Sequence, residues 1–133
     1  MSEEKKTQVL IIDDDPGLQK LVMTLLKRAG MKTDSAYNAS EAAQILKKQP
    51  LPDIVLLDLM LPEINGIDFL KQIRAKSIFN ELPVIILSAL ADPDVIKEGL
   101  ESGADRYLTK PYLANNLVKT IREVLETGRV IRE

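Results

Sequence analysis

Asp53-Ile54-Val55-Leu56-Leu57-Asp58-Leu59-Met60-Leu61-Pro62 is a run of aliphatic residues that delivers one carboxylate, Asp58, near its end. It is bounded by Pro52 and Pro62 and is too short for a lone buried helix. It therefore reads as a strand buried on both faces, the kind found in a parallel sheet covered by helices. An acid carried there needs a compensating charge. Both fold and function turn on what meets Asp58.

Working outward, Val9-Leu10-Ile11-Ile12 is a first buried strand, closed by Asp13-Asp14-Asp15-Pro16. Pro16 suits the first helical position with Asp15 as its N-cap. Leu18, Leu21, Val22, Leu25 and Leu26 follow at helical spacing, and Gly30 is the expected stop. Met31 to Tyr37 alternates weakly, as an outer strand does. Asn38 and Glu41 stand at capping-box spacing before a second helix through Ala42, Ile45 and Leu46, ended by Pro50 and Pro52. Beyond the Asp58 strand, Asn65-Gly66 opens a third helix with Ile67, Leu70 and Ile73 on one face. Pro83 to Leu87 is a fourth strand ending at Ser88. Asp92-Pro93 repeats the first cap and starts a fourth helix that stops near Gly103. Asp105 to Thr109 is a short fifth strand ending at Lys110-Pro111. Leu113, Leu117, Ile121 and Leu125 form the stripe of a last helix. The expected division is an N-terminal tail over 1–8, one domain over 9–127, and a tail or the start of a linker over 128–133.

Composition narrows the chemistry. The net charge is −2 with scattered positive residues, so nothing marks a surface for nucleic acid or anionic membrane. No apolar run approaches the ~18 residues of a membrane span. The first eight residues are polar and lack the apolar centre of a secretory signal. The absence of cysteine fits a reducing compartment, and the expected location is cytoplasmic. The absence of histidine excludes a catalytic triad, a histidine proton shuttle and a histidine-ligated zinc. Carboxylates, hydroxyls, lysine, arginine and tyrosine remain.

Strand and helix alternate five times, which implies a parallel sheet with helices on both faces. Such sheets bind ligands at the carboxyl ends of their strands, where strand order reverses; for an order 2-1-3-4-5 that is between strands one and three. At those ends stand Asp13, Asp14 and Asp15, then Asp58, Ser88 and Lys110. Each alone has an ordinary structural reading as a solvated turn, a cap or a surface side chain. Together they are far more specific, because all of them fall at strand carboxyl ends. Acids brought together raise a pKa or take up a cation. Few oxygen ligands with room for water suit Mg²⁺. A cation and Lys110 beside a carboxylate nucleophile are the equipment for accepting a phosphoryl group.

From about Val9 to about Leu125 the chain resembles the receiver domain of two-component response regulators. The resemblance is carried by Val9 to Pro16, Ile54 to Pro62, Asn65-Gly66, Ile85 to Ala89, Gly103-Ala104-Asp105 and Tyr107 to Pro111. It implies a flavodoxin-like (βα)5 three-layer sandwich on a five-stranded parallel sheet of order 2-1-3-4-5. It implies Asp58 as phosphoacceptor, with Mg²⁺ held by Asp13, Asp14, Asp58 and the backbone carbonyl of Met60. Ser88 would hydrogen-bond a phosphoryl oxygen, Ala89 would leave room for it, and Lys110 would pair with the phosphoryl group. The Lys110-Pro111 bond would be cis. Tyr107 matches the switch aromatic, which turns inward as Ser88 moves and remodels the surface of the fourth helix, fifth strand and fifth helix.

The implied donor is a sensor histidine kinase or a phosphotransfer protein. The implied target is a downstream protein or output domain that meets the remodelled surface, where a weak homodimer could also form. The chain would catalyse its own phosphorylation and dephosphorylation without being a turnover enzyme, and would bind neither nucleic acid nor membrane itself. Met60 and Leu90, two residues after Asp58 and Ser88, are apolar where the family's side chains flank the water path, which implies slow loss of the phosphoryl group. Arg106 stands where an acid is frequent in the DNA-binding subfamily, which argues against that subfamily's salt-bridged dimer. Among other readings, a flavin-binding flavodoxin is disfavoured by the acids in the first loop, which would repel a phosphate. A small Mg²⁺-dependent phosphohydrolase would need a general acid and a substrate cap. A phosphorylation-independent interaction module is disfavoured because every acceptor-site residue is present.

Overall fold

The structure, a computed structural model, describes residues 6–110 and 114–129. Five strands form one parallel sheet: β1 (Gln8–Ile12), β2 (Lys32–Ala36), β3 (Ile54–Leu57), β4 (Val84–Ser88) and β5 (Arg106–Thr109), in the order β2-β1-β3-β4-β5. Between and after them run α1 (Pro16–Arg28), α2 (Ala39–Leu46), α3 (Gly66–Arg74), α4 (Pro93–Glu101) and α5 (Ala114–Thr127), with a 3₁₀ turn at Ser77–Phe79. This is the expected flavodoxin-like sandwich.

Alternation along the strands builds two cores. Leu10, Ile12, Leu57 and Ile86 point to α2 and α3, where they meet Ala42, Leu46, Ile67, Leu70 and Ile73. Val9, Ile11, Leu56 and Ile85 point the other way, to Val22 and Leu26 of α1 and to Leu117, Ile121 and Val124 of α5. Every residue of β3 is buried, as a strand covered on both faces requires. Ile12 pairs with both Ala36 and Leu57, Leu57 with Ile86, and Ser88 with Thr109. β1, β2 and β3 therefore end level, β4 and β5 run two residues further, and the loops that leave all five gather at one edge. Among the described residues no helix is long and apolar enough to cross a membrane.

The helix starts follow their caps. Asp15 Oδ1 accepts from the N–H groups of Gly17 and Leu18, and Asp92 Oδ1 from that of Asp94, each with proline at the helix start. Asn38 caps α2 through the Glu41 N–H, but the Glu41 carboxylate reaches past Asn38 to the N–H of Tyr37. Gly30 ends α1 with φ +85°, a backbone that glycine adopts without steric cost.

The α1 stripe differs from expectation. Leu21 is 54% exposed and Leu18 and Leu25 are half-buried, whereas Gln19, Val22 and Leu26 face inward. The inward face is rotated by one residue from the leucine pattern, and the polar Gln19 occupies its first position. β5 begins at Arg106 rather than Asp105, whose carboxylate is turned to the N–H of Val84. Leu113 and the cis bond expected between Lys110 and Pro111 fall on residues outside the described set.

Candidate functional site

Asp13 follows the last residue of β1 and Asp58 the last of β3, on neighbouring strands. Both are buried, 5% and 6% exposed, while Asp14 is open to solvent. Carboxylate oxygens of Asp13, Asp14 and Asp58 lie within 4.8 Å of one another. Three anions that close repel unless a cation joins them. Lys110 supplies one. From the end of β5 its side chain passes over the end of β4, and its Nζ lies 3.0 Å from Asp13 Oδ2 and 3.3 Å from Asp58 Oδ2.

Backbone donors aim the carboxylates. Asp13 Oδ1 accepts from the N–H of Asp15 at 3.0 Å, and Asp58 Oδ1 from that of Met60 at 3.1 Å. The Asp58 N–H donates to Ile12 O at 2.9 Å, which anchors the acid at its strand end. Burial raises the Asp58 carboxyl above its ordinary range, and the Asp13 charge adds to this; the Met60 N–H and the Lys110 ammonium act against it.

Ser88 is fully buried at the end of β4, on the strand between those that end in Asp58 and Lys110. Its Oγ accepts from the Leu90 N–H at 3.2 Å, and its carbonyl accepts from the Lys110 N–H at 2.8 Å. Ala89 beside it is exposed. The Tyr107 hydroxyl donates to the Leu90 carbonyl at 2.6 Å, so the short loop after β4 is held at Leu90 from both sides. Burial raises the Tyr107 hydroxyl above the usual phenol range, opposed by hydrogen bonding with Ser88 and assisted by the Asp58 charge. Met60 and Leu90 are 57% and 38% exposed, an apolar rim beside the acids.

The structure thus brings Asp13, Asp14, Asp58 and Lys110 into one cluster and sets Ser88, Ala89, Met60 and Tyr107 along the same edge. Two supporting features escaped the sequence reading, the close contact made by Gly66 and the role of Gln19. Gly66 starts α3 so tightly against the acid strand that a Cβ there would lie 2.5 Å from Leu59 Cα and 2.6 Å from Asp58 O. The Asn65-Gly66 pair announces a helix start, but nothing local announces this contact. Gln19 is buried under the first acidic loop, and a lone polar residue in register with Val22 and Leu26 was its only signal.

The donor set, oxygen-only with one acid open to solvent, fits a hard divalent cation that keeps part of its water. The chain is also similar to known proteins in sequence and in fold. The chain is 38% identical over 117 residues to the DNA-binding response regulator MtrA of Mycolicibacterium smegmatis, covering 88% of this chain and 50% of that protein. It is 34% identical over 118 residues to the phosphate regulon transcriptional regulatory protein PhoB of Escherichia coli, covering 89% and 51%. The chain therefore spans about half the length of these curated relatives. The solved receiver domain of the Francisella response regulator 1452 superposes with a TM-score of 0.84 at 34% identity, covering 92% of this chain and 98% of that one. The family model for the response regulator receiver domain matches residues 9–122. With that match running through nearly the whole sheet and its helices, the chain belongs to the response regulator receiver domain family.

Proposed function

We propose that this receiver domain accepts a phosphoryl group on Asp58 and passes the signal on through the face formed by α4, β5 and α5. The observation that carries the reading is the Lys110 ammonium held between Asp13 and Asp58, with Asp14 beside them. An Asp58 carboxylate oxygen forms the new O–P bond while the donor's P–N or P–O bond breaks. The electron pair of that bond leaves with the donor's departing group, which takes up a proton from solvent. A histidine kinase or phosphotransfer protein is the donor by this reading.

Asp13, Asp14, Asp58 and the Met60 carbonyl are the groups that would hold Mg²⁺, which supplies positive charge to the phosphoryl oxygens when bound. Lys110 is already within reach of Asp58 and can transfer its ion pair to the incoming group. The Ser88 hydroxyl, an acceptor toward Leu90, keeps its own proton to donate to a phosphoryl oxygen. Ala89 presents no bulk beside it. Drawing Ser88 toward the phosphoryl group would strain the Leu90 tie, and with it the Tyr107 hydroxyl bond, so a local charge event biases the surface around β5.

The test is intact mass after incubation with Mg²⁺ and acetyl phosphate, beside Asp58→Ala. The expected result is a gain of one phosphoryl group that is abolished by the substitution and by a chelator. No gain from several donors, with Mg²⁺ binding verified, would overturn the reading in favour of a phosphorylation-independent interaction module.

A further inference from the structure

Gln19 is the fourth residue of α1 and is 1% exposed. Its Nε2 donates to three carbonyl oxygens, those of Ile11 at 2.9 Å, Asp13 at 3.1 Å and Ala36 at 2.9 Å. Two N–H bonds are thus shared among three acceptors. Its Oε1 is buried with no hydrogen-bond partner among the described residues. The amide cannot sit the other way round, since its oxygen would then face three carbonyl oxygens. A buried, unpaired amide oxygen carries a desolvation cost. An unbranched apolar side chain would avoid that cost and fill the same space in line with Val22 and Leu26. The position makes sense only through what the nitrogen holds.

What it holds is the exit of β1 into the acidic loop. The Asp13 N–H donates to Ala36 O at 3.0 Å, so Asp13 is fixed on its amino side by β2. Gln19 grips the same Ala36 carbonyl and, on the other side, the carbonyl of Asp13 itself. That carbonyl belongs to the peptide joining Asp13 to Asp14, whose plane sets the directions in which the two side chains leave the chain. We propose that Gln19 is a positioning residue for the acidic site: by holding the Asp13–Asp14 peptide it makes both carboxylates converge on Asp58 for a divalent cation. The inference rests on the receiver reading above and assigns a role to a residue that touches neither cation nor phosphoryl group.

The test is Mg²⁺ titration calorimetry of the full chain, wild type beside Gln19→Met, with circular dichroism and amide hydrogen exchange as companions. The expected result is a folded variant whose Mg²⁺ dissociation constant rises about tenfold or more, the scale of losing an outer support of a metal site. Exchange at the amides of Asp13 and Asp14 should accelerate while that of β3 and β4 stays slow. Gln19→Asn keeps an amide but draws it back by one carbon, and it serves equally should the methionine variant not fold. A folded variant that binds Mg²⁺ within about twofold of wild type would overturn the positioning role alone, leaving Gln19 as a staple between β1 and β2. Wild-type protein that binds no Mg²⁺ would overturn both this role and the cation chemistry on which it rests.

Discussion

Asp58 is held at a cost to the fold, and that cost grows as pH rises. Its carboxyl is raised above the ordinary 3.8, mainly by burial. Below that value the acid is protonated in folded and unfolded chains alike and contributes nothing to pH dependence. As pH rises, the unfolded chain loses its proton first, so the folded state loses stability until the raised value is passed. Above it the loss is constant. Asp58→Asn removes the penalty and still leaves Lys110 paired with Asp13. At neutral pH without divalent cation it is expected to stabilise the domain by about 0.5–2 kcal/mol, a gain that shrinks toward zero in acid. Thermal melts of both proteins between pH 3 and pH 8 check this, and a destabilised variant at pH 7 would refute it. The rim residues make a separate prediction on the phosphoacceptor reading. Met60 and Leu90 are exposed and apolar, so neither can orient a water for attack on an aspartyl phosphate. The phosphoryl group should persist beyond seconds, and Met60→Asn should shorten its lifetime several-fold, as followed by intact mass. Decay of the wild type within seconds would end that argument.

At the scale of elements, the strand ends are placed by how the helices begin. The β3–α3 connection is a close joint: Gly66 N–H donates to Leu59 O at 2.8 Å, and Met60 bridges to Asn65. The same turn offers the Met60 N–H to Asp58. A Cβ on Gly66 would strike backbone atoms of Asp58 and Leu59, which cannot move aside without the strand. Gly66→Ala should therefore cost about 3 kcal/mol, the upper range for overpacking, and on the proposed cation reading should also weaken Mg²⁺ binding as the loop shifts. Gly99 in α4 is the contrasting case. A Cβ there would crowd Ile86 Cδ1 at 2.7 Å, the far end of a buried side chain, and meet the Tyr107 ring at 3.4 Å, while the helix gains about 1 kcal/mol of propensity. Gly99→Ala should stay within about 1 kcal/mol of wild type. Urea denaturation of the two variants separates them, and equal losses would mean that backbone contact is not what distinguishes the sites. These elements were largely legible in the sequence because their signals are local. Asp15-Pro16 and Asp92-Pro93 mark helix starts through one side chain and one fixed φ, and four consecutive aliphatics mark β3. Gln19 and the Gly66 contact were not legible, because each depends on a partner that only the folded sheet brings near.

Across the whole molecule the same limit separates the two edges of the sheet. The acid edge could be assembled from sequence because parallel strands all deliver their carboxyl ends to one edge, so Asp13, Asp58, Ser88 and Lys110 come to the same side of the sheet without any knowledge of packing. The opposite edge carries a buried charge cluster that no local period foretells, since Asp105 meets Arg74 and Arg129 from 31 and 24 residues away. Asp105 is 1% exposed. Its carboxylate accepts from the Val84 N–H at 2.9 Å and faces Arg74 Nη2 at 3.4 Å and Arg129 Nε at 3.2 Å. Both guanidinium groups also donate to the Gly103 carbonyl, while Arg74 reaches Phe79 O and Arg129 reaches Asn80 O. The cluster ties α3, the starts of β4 and β5, and the end of α5 into one body. Burial lowers the Arg74 pKa to about 10, and the neighbouring Arg129 charge adds to the effect while Asp105 opposes it, so Arg74 stays cationic at neutral pH. Asp105→Ala would leave two cations facing each other in a buried place and should cost about 3–5 kcal/mol. Arg129→Ala relieves that repulsion as it removes hydrogen bonds, so its cost should be smaller, about 1–2 kcal/mol. Because the cluster lies at the edge away from Asp58, on the phosphoacceptor reading folded Arg129→Ala should accept a phosphoryl group from acetyl phosphate at the wild-type rate. Urea denaturation and intact mass on the same two variants decide it: an Asp105→Ala loss no larger than that of Arg129→Ala would mean that the carboxylate does not hold the two guanidinium groups together.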